Sequence, residues 1–290
     1  MAMRIQRLDV PPSVLGEGPV WSERDQCLYY VDIIACRLQA YWPQTKACRF
    51  WQFDEFTGSL AECRSGGLIL TLRDRIVRFD PQSGRVGDEI AVLERDRPAN
   101  RLNDGKTDRW GRFWVGSMQH DEALNNGRLW CVTGDGKARA FRDGIGVSNS
   151  ISFDDQRGRM YFADSLSRLI EYATWDDEKI PTDWRPFAHA GKGAPDGSCS
   201  DADGYLWNAE WSGHRVVRYA PDGRIDRVIE MPMSRPSCCT FGGADYRTLF
   251  VTSARYLMSA EEQQHDVDAG SLCCVDLEDV QGLPPHLFAL

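Results

Sequence analysis

Asn103, Asn149 and Asp196 follow one another at 46 and 47 residues. Each lies in a short polar stretch: Arg101-Leu102-Asn103-Asp104-Gly105, Gly146-Val147-Ser148-Asn149-Ser150 and Ala194-Pro195-Asp196-Gly197. The stretches are expected to stand just upstream of strand-like runs. A unit that repeats along the chain thus presents an oxygen-bearing side chain at one fixed phase of itself, and a closed array brings equivalent phases together in space. Glu17 precedes a similar run. The four read as a ring of oxygen donors suited to a hard divalent cation.

The same period runs through the whole chain. Six segments share a plan of short strand, polar turn with Asp or Gly, aromatic-rich strand and a further pair of strands. Their second strands are centred on Leu28-Tyr29-Tyr30-Val31, Leu68-Ile69-Leu70, Phe113-Trp114-Val115, Met160-Tyr161-Phe162, Leu206-Trp207-Asn208 and Leu249-Phe250-Val251. A period of roughly 40 to 48 residues is the length of one four-stranded propeller blade, with Gly and Asp at the turns where positive φ or side-chain capping is needed. The expected fold is all-β: a six-bladed β-propeller of four-stranded antiparallel blades, forming one domain over 1–290. Arg4-Ile5-Gln6-Arg7-Leu8-Asp9-Val10 is placed to add the outermost strand of the last blade, which would close the ring and remove an open edge. An α/β fold would need 3.6-period amphipathic stretches between strands. The best helical segment, Ser259-Ala260-Glu261-Glu262-Gln263-Gln264, is one turn in a loop.

Charge and cysteine usage narrow the function classes. A net charge of -9 and a pI near 5.1 argue against nucleic acid or an anionic membrane as partner. The start, Met1-Ala2-Met3-Arg4-Ile5-Gln6-Arg7, lacks the apolar core of a secretion signal, and no run approaches a membrane span, so a cytoplasmic location is expected. Ten cysteines show no Cys-x-x-Cys pair. Most are expected to be small buried hydrophobes, and in the doublets Cys238-Cys239 and Cys273-Cys274 only one side chain of each pair can face a given layer. Asp201-Ala202-Asp203-Gly204 lacks the distal Glu of an EF-hand calcium loop and reads as a blade turn. His120 and the tryptophans Trp114 and Trp211 are possible rim residues. The absence of a Gly-x-Ser-x-Gly elbow disfavours a serine esterase.

Leu15-Gly16-Glu17-Gly18-Pro19-Val20-Trp21, Arg101-Leu102-Asn103-Asp104-Gly105-Lys106, Gly111-Arg112-Phe113-Trp114-Val115-Gly116-Ser117-Met118, Ser148-Asn149-Ser150-Ile151 and Pro195-Asp196-Gly197 occur in that order. Together they resemble the SMP-30 (senescence marker protein 30) family, also called the regucalcin or gluconolactonase family, across essentially the whole chain. The resemblance implies a six-bladed propeller with one divalent metal in its channel, and hydrolysis of a sugar lactone. It implies metal ligands at Glu17, Asn149 and Asp196, and substrate contacts at Arg101 and Asn103. Where the family commonly has a substrate-binding Glu after the Gly-Ser-Met segment, this chain has Asp121, with Glu122 next to it; Asp121 is taken as a substrate-binding residue.

The chemistry can be argued without the family. A lactone is an ester, and its hydrolysis needs a polarised carbonyl, an attacking water and stabilisation of a developing oxyanion. A bound cation supports all three. Two carboxylates and a carboxamide leave most of a hard cation's coordination sphere free for substrate. Asp196 is the candidate general base, Arg101 offers a fixed fork of donors, and Asn103 both donates and accepts. The ion is left open among calcium, zinc, manganese and iron(II), and the sequence does not select the lactone. The rival reading is a non-catalytic propeller that binds calcium or a protein partner; an organophosphate-hydrolysing propeller is a third.

Overall fold

In five of the six blades the innermost strand is broken in register by a bulge, and the six innermost strands position the site. The computed structural model describes residues 4–176 and 181–290. Blade one pairs Gly16–Ser22, Cys27–Asp32, Arg37–Trp42 and Ala47–Gln52; blade two, Leu60–Glu62, Leu68–Thr71, Arg75–Asp80 and Arg85–Val92. Blade three pairs Asn100–Thr107, Phe113–Gln119, Gly127–Val132 and Ala138–Ile145; blade four, Ser148–Asp154, Arg159–Asp164, Leu169–Thr174 and Arg185–His189. Blade five pairs Ala194–Ser200, Leu206–Trp211, Arg215–Tyr219 and Ile225–Glu230. The first strand named is innermost in each, and neighbouring innermost strands pack against one another right round the ring.

Blade six joins the two ends of the chain. Pro236–Gly242, Thr248–Ser253 and Cys273–Asp276 are completed by Ile5–Arg7, with Ile5 opposite Val275 and Arg7 opposite Cys273. The N-terminal strand expected from the sequence therefore closes the ring. The result is a six-bladed β-propeller with four-stranded antiparallel blades. Its one α-helix among the described residues, Ala260–His265, starts at a capping box between Ser259 and Glu262, which satisfies two amides that a helix start leaves open.

One expectation needs correction. The polar stretches do not precede the strands; Glu17, Asn103, Asn149 and Asp196 lie inside the innermost strands. Each of these strands has a break in register just there, between Glu17 and Val20, Leu102 and Gly105, Asn149 and Ser152, and Pro195 and Ser198. A bulge re-aims side chains, and it needs the small or left-handed residues that give these segments the look of turns, such as Gly18 (φ 52) and Ser150 (φ 59). The cysteine expectation holds for most of the ten: all are free thiols and seven are buried. Cys238 and Cys239 are both buried and face different layers, because an innermost strand is covered on both faces. Cys238 lines the axial cavity, while Cys239 Sγ lies 3.8 Å from Cys199 Sγ of blade five.

Interlocking acids stiffen the blade turns. Asp108 accepts hydrogen bonds from the Trp110 and Arg112 amides, Arg112 Nε and Trp114 Nε1. Asp201 does the same for the Asp203 and Tyr205 amides, Trp207 Nε1 and Arg218 Nε. Its carboxylate is therefore consumed within the protein, and the Asp201–Gly204 segment is a blade turn and not a calcium loop.

The C-terminal segment crosses the far end of the axial channel. Its backbone meets blades five and six through Gln281 O with the Ala202 amide and the Gly282 amide with Tyr246 O, both 2.8 Å. His286 Nε2 then reaches Asp155 Oδ2 of blade four at 2.8 Å. Phe288, fully buried, pairs with Glu62 and Arg64 of blade two, and Ala289 donates to Gly111 O of blade three. Leu283 to His286 thereby cover the channel from one side of the ring to the other.

Candidate functional site

Glu17, Arg101, Asn103, Asn149 and Asp196, drawn from four blades, line one cavity at the end of the channel opposite the C-terminal strap. The cavity encloses about 730 Å³, including the part open to solvent. All five side chains are buried. No short stretch of sequence joins them; closure of the ring does.

Hydrogen bonds set their orientation. Asn149 Nδ2 donates to Ser165 Oγ (2.9 Å), and Ser165 Oγ donates to Pro195 O (2.6 Å), so the Asn149 amide oxygen is turned away from Ser165. Asn103 Nδ2 donates to Ser148 O at 2.9 Å and lies 3.4 Å from Asn149 Oδ1, while its own oxygen accepts from Arg101 Nη1. Arg101 Nη1 also donates to Leu102 O, and its buried Nε has no protein partner. A guanidinium with an unused buried donor is poised for an acceptor from outside the protein.

The carboxylates are not compensated from within. Glu17 Oε2 accepts from the Gly18 amide at 3.0 Å, and among the described residues no ion pair within 4.0 Å reaches Glu17 or Asp196. Burial, and then the charge of Asp104, pushes the Glu17 carboxyl up to about 8, against the pull of the Gly18 amide and Arg101. Burial, and then Glu17, raises Asp196 well above the ordinary carboxylate range. Burial pulls Arg101 down to about 10, which leaves it cationic at neutral pH. Two buried acids raised above the ordinary carboxylate range by desolvation and by neighbouring carboxylates form a site that a cation would relieve. Among the described residues no three His, Cys, Asp or Glu side chains come together as a metal-binding group. Here the available donors are two carboxylates and the Asn149 amide oxygen, a hard oxygen set that fits a divalent ion.

Residues 15–255 match the model of the SMP-30/gluconolactonase/LRE-like region. This chain belongs to that family. It is 37% identical over 254 residues to the 6-deoxy-6-sulfogluconolactonase of Pseudomonas putida, with 87% of each chain covered. It is 30% identical to regucalcin of Xenopus laevis, with 95% of each covered. A crystal structure of regucalcin from Agrobacterium tumefaciens, described as a calcium-binding protein, superposes with a TM-score of 0.94 at 27% identity, covering 99% of this chain and 98% of that one. The lactonase named among these relatives is a hydrolase of a lactone ester, in agreement with the enzyme class expected from the sequence.

Within this family member, sequence reasoning misses three scaffolding acids. Asp32 accepts from the Val14 and Leu15 amides, Asp164 from the Gly146 and Val147 amides, and Glu210 from the Gly191, Lys192 and Gly193 amides. Each clamps the entry to its blade's innermost strand, a few residues before Glu17, Asn149 or Asp196. Their signal lies in the spacing: they stand 15, 15 and 14 residues after those three positions. Ser165, Met118, Tyr256 and Leu257 are further lining residues that the sequence does not announce.

Asp121 does not line the cavity. Its Oδ1 accepts from Gln119 Nε2 and the Ala123 amide, and Glu122 lines the cavity instead. The cause is local: Glu122 has φ 56, and the turn there brings the second acid, not the first, to the mouth. Trp211 lines the mouth, whereas Trp114 is buried against Asp108. His120 stacks on Phe56, with ring centroids 4.5 Å apart, and does not line the cavity.

Proposed function

We propose that this protein hydrolyses a sugar lactone to the aldonic acid, with one divalent ion held by Glu17, Asn149 and Asp196. The carrying observation is the pair of buried, unpaired carboxylates, Glu17 and Asp196, opening on the same cavity as Arg101 and Asn103. When bound, the ion would supply Lewis acidity toward the lactone carbonyl and lower the pKa of water. Asp196 takes the proton of the attacking water on a carboxylate oxygen, the ring C–O bond breaks, and the proton passes to the departing ring oxygen, which leaves an open-chain hydroxy acid. Arg101, through its unused Nε–H, donates to a substrate oxygen. Asn103, fixed between Arg101 and Ser148 O, reads a neighbouring hydroxyl. Asn149 contributes an oxygen whose direction Ser165 sets.

The wider reading is a single propeller domain over 1–290 acting in the cytoplasm on a small molecule. Closure of blade six by the N-terminal strand and the C-terminal strap supports one domain. A charge of -9 supports a partner other than nucleic acid. Among the described residues no helix is long and apolar enough to cross a membrane.

The test is turnover of gluconolactone and pentonolactones above the buffer rate, with the excess lost on chelation and restored by calcium, zinc, manganese or iron(II). The calcium-binding description of the Agrobacterium relative favours one second reading, a propeller that binds calcium without catalysis. A calcium-binding isotherm with no chelator-sensitive lactone opening would select that reading.

A further inference from the structure

The floor of the cavity is polar, whereas much of its rim is apolar. Leu257 is 70% exposed and Leu166 is 52% exposed, and both line the mouth together with Trp211 and Tyr256. Two largely exposed leucines at the opening of a polar site offer apolar surface that a bound group would cover.

Both leucines are held in place. Leu257 adopts φ 61, a conformation unfavourable for a branched side chain. The backbone on either side is pinned by hydrogen bonds from the Tyr256 amide to Val14 O (2.9 Å), from Arg235 Nη1 to Tyr256 O, and from the Met258 amide to Arg255 O (3.2 Å). Leu166 sits in the 3-10 turn Ser165–Ser167, capped by Asp164 and followed by Arg168 at φ 57. Its Cδ1 packs over Gly146, where a Cβ would come within 2.5 Å.

The rim also lacks positive charge. Arg101 is the one cation lining the cavity among the described residues, and it lies at the floor, bonded to Asn103. Arg235 is spent on the Tyr256 carbonyl and lies over the Trp211 ring, 5.4 Å from its centroid. Glu122 adds a negative charge to the mouth. An anionic substituent would therefore lose water there without gaining a counter-charge.

We infer that the lactone selected by this site carries a neutral, apolar exocyclic substituent, such as a deoxy or alkyl terminus, which lies against the Leu166–Leu257 collar while the lactone ring occupies the polar floor. The inference rests on the lactonase reading and specifies its substrate class. It also separates this chain from a site built for a sulfonated sugar.

The experiment compares kcat/KM for gluconolactone, 6-deoxygluconolactone and 6-deoxy-6-sulfogluconolactone on the metal-loaded wild-type protein. The deoxy compound should exceed gluconolactone by about tenfold, and the sulfonated one should fall below both. Leu257→Gly, which suits a positive φ and should fold at least as well, and Leu166→Ala should each lower the deoxy-to-hydroxy ratio by about fourfold, roughly one buried methylene. Glu122→Gln should raise the relative rate on the sulfonated lactone. Equal rates on the deoxy and hydroxy compounds, a preference for the sulfonate, or a ratio unmoved by both leucine variants would overturn the inference while leaving a lactonase. Failure to open any of the three lactones would overturn the lactonase reading and the inference with it.

Discussion

At the mouth of the channel, Glu17 and Asp196 are buried side by side with no cation of the protein's own within ion-pair distance. Further along the same innermost strands the acid is Asp104, and there the protein provides Lys106. Burial raises the Asp104 carboxyl, and the charge of Lys106 opposes that rise, as does a hydrogen bond from the Ile151 amide at 2.8 Å, while the Lys106 ammonium donates to Ser198 O. That end is also roofed by Leu283 to His286. One end thus carries a cation of its own near its buried acid and is covered, whereas the other gathers two buried acids and stays open. The open end is where an exogenous cation and a polar substrate gain most, because every charge they neutralise was already desolvated during folding.

The strongest way to break this contrast is at Asp196. Asp196→Ala should cost about 10²- to 10⁴-fold in kcat on the best lactone and abolish divalent-ion binding by calorimetry, since ligand and base are lost together. Retention of near-normal turnover would refute the assignment. At the covered end the expected losses are in stability. Phe288→Ala removes a fully buried anchor of the strap and should cost about 3–5 kcal/mol in urea unfolding, with kcat little changed. Lys106→Met should be milder, about 1–3 kcal/mol, because it leaves the Ser198 carbonyl without its donor and Asp104 without its counter-charge. A catalytic loss as large as that of Asp196→Ala would show that the two ends are not functionally distinct.

The smallest effect sharpens the contrast through pH. Burial, then Arg101, holds the His120 pKa below its ordinary 6.5. The folded protein therefore binds fewer protons there than the unfolded chain, so this contribution to stability is complete above 6.5 and is lost as pH falls through the folded value. His120→Phe keeps an aromatic ring on Phe56 and should flatten the acid side of a melting-temperature profile between pH 5 and 7. Identical profiles would place His120 in solvent.

Much of the fold is legible in the amino-acid sequence, and the places where it misleads are instructive. The blade period, the closing N-terminal strand and the short helical segment after Ser259 follow from local chemistry, since strand alternation, turn residues and helical propensity each act over a few neighbouring positions. Glu17-Gly18-Pro19 and Asn103-Asp104-Gly105 look like turns because bulges use the same residues as turns. Only packing on both faces makes those segments strands. Counting along the chain favours Asp121 over Glu122, but a single left-handed residue decides which of two adjacent acids faces the cavity.

The sequence by itself determined the repeat, the number of blades and the phase at which oxygen-bearing side chains occur, because periodicity is a one-dimensional property that strand and turn preferences express locally. Tertiary structure alone decided that Glu17 and Asp196 meet without a counter-ion, that Lys106 lies near Asp104, and that two exposed leucines stand at the mouth. Those relations join residues far apart along the chain, and only closure of the ring, with the burial it imposes, brings their fields and surfaces into contact.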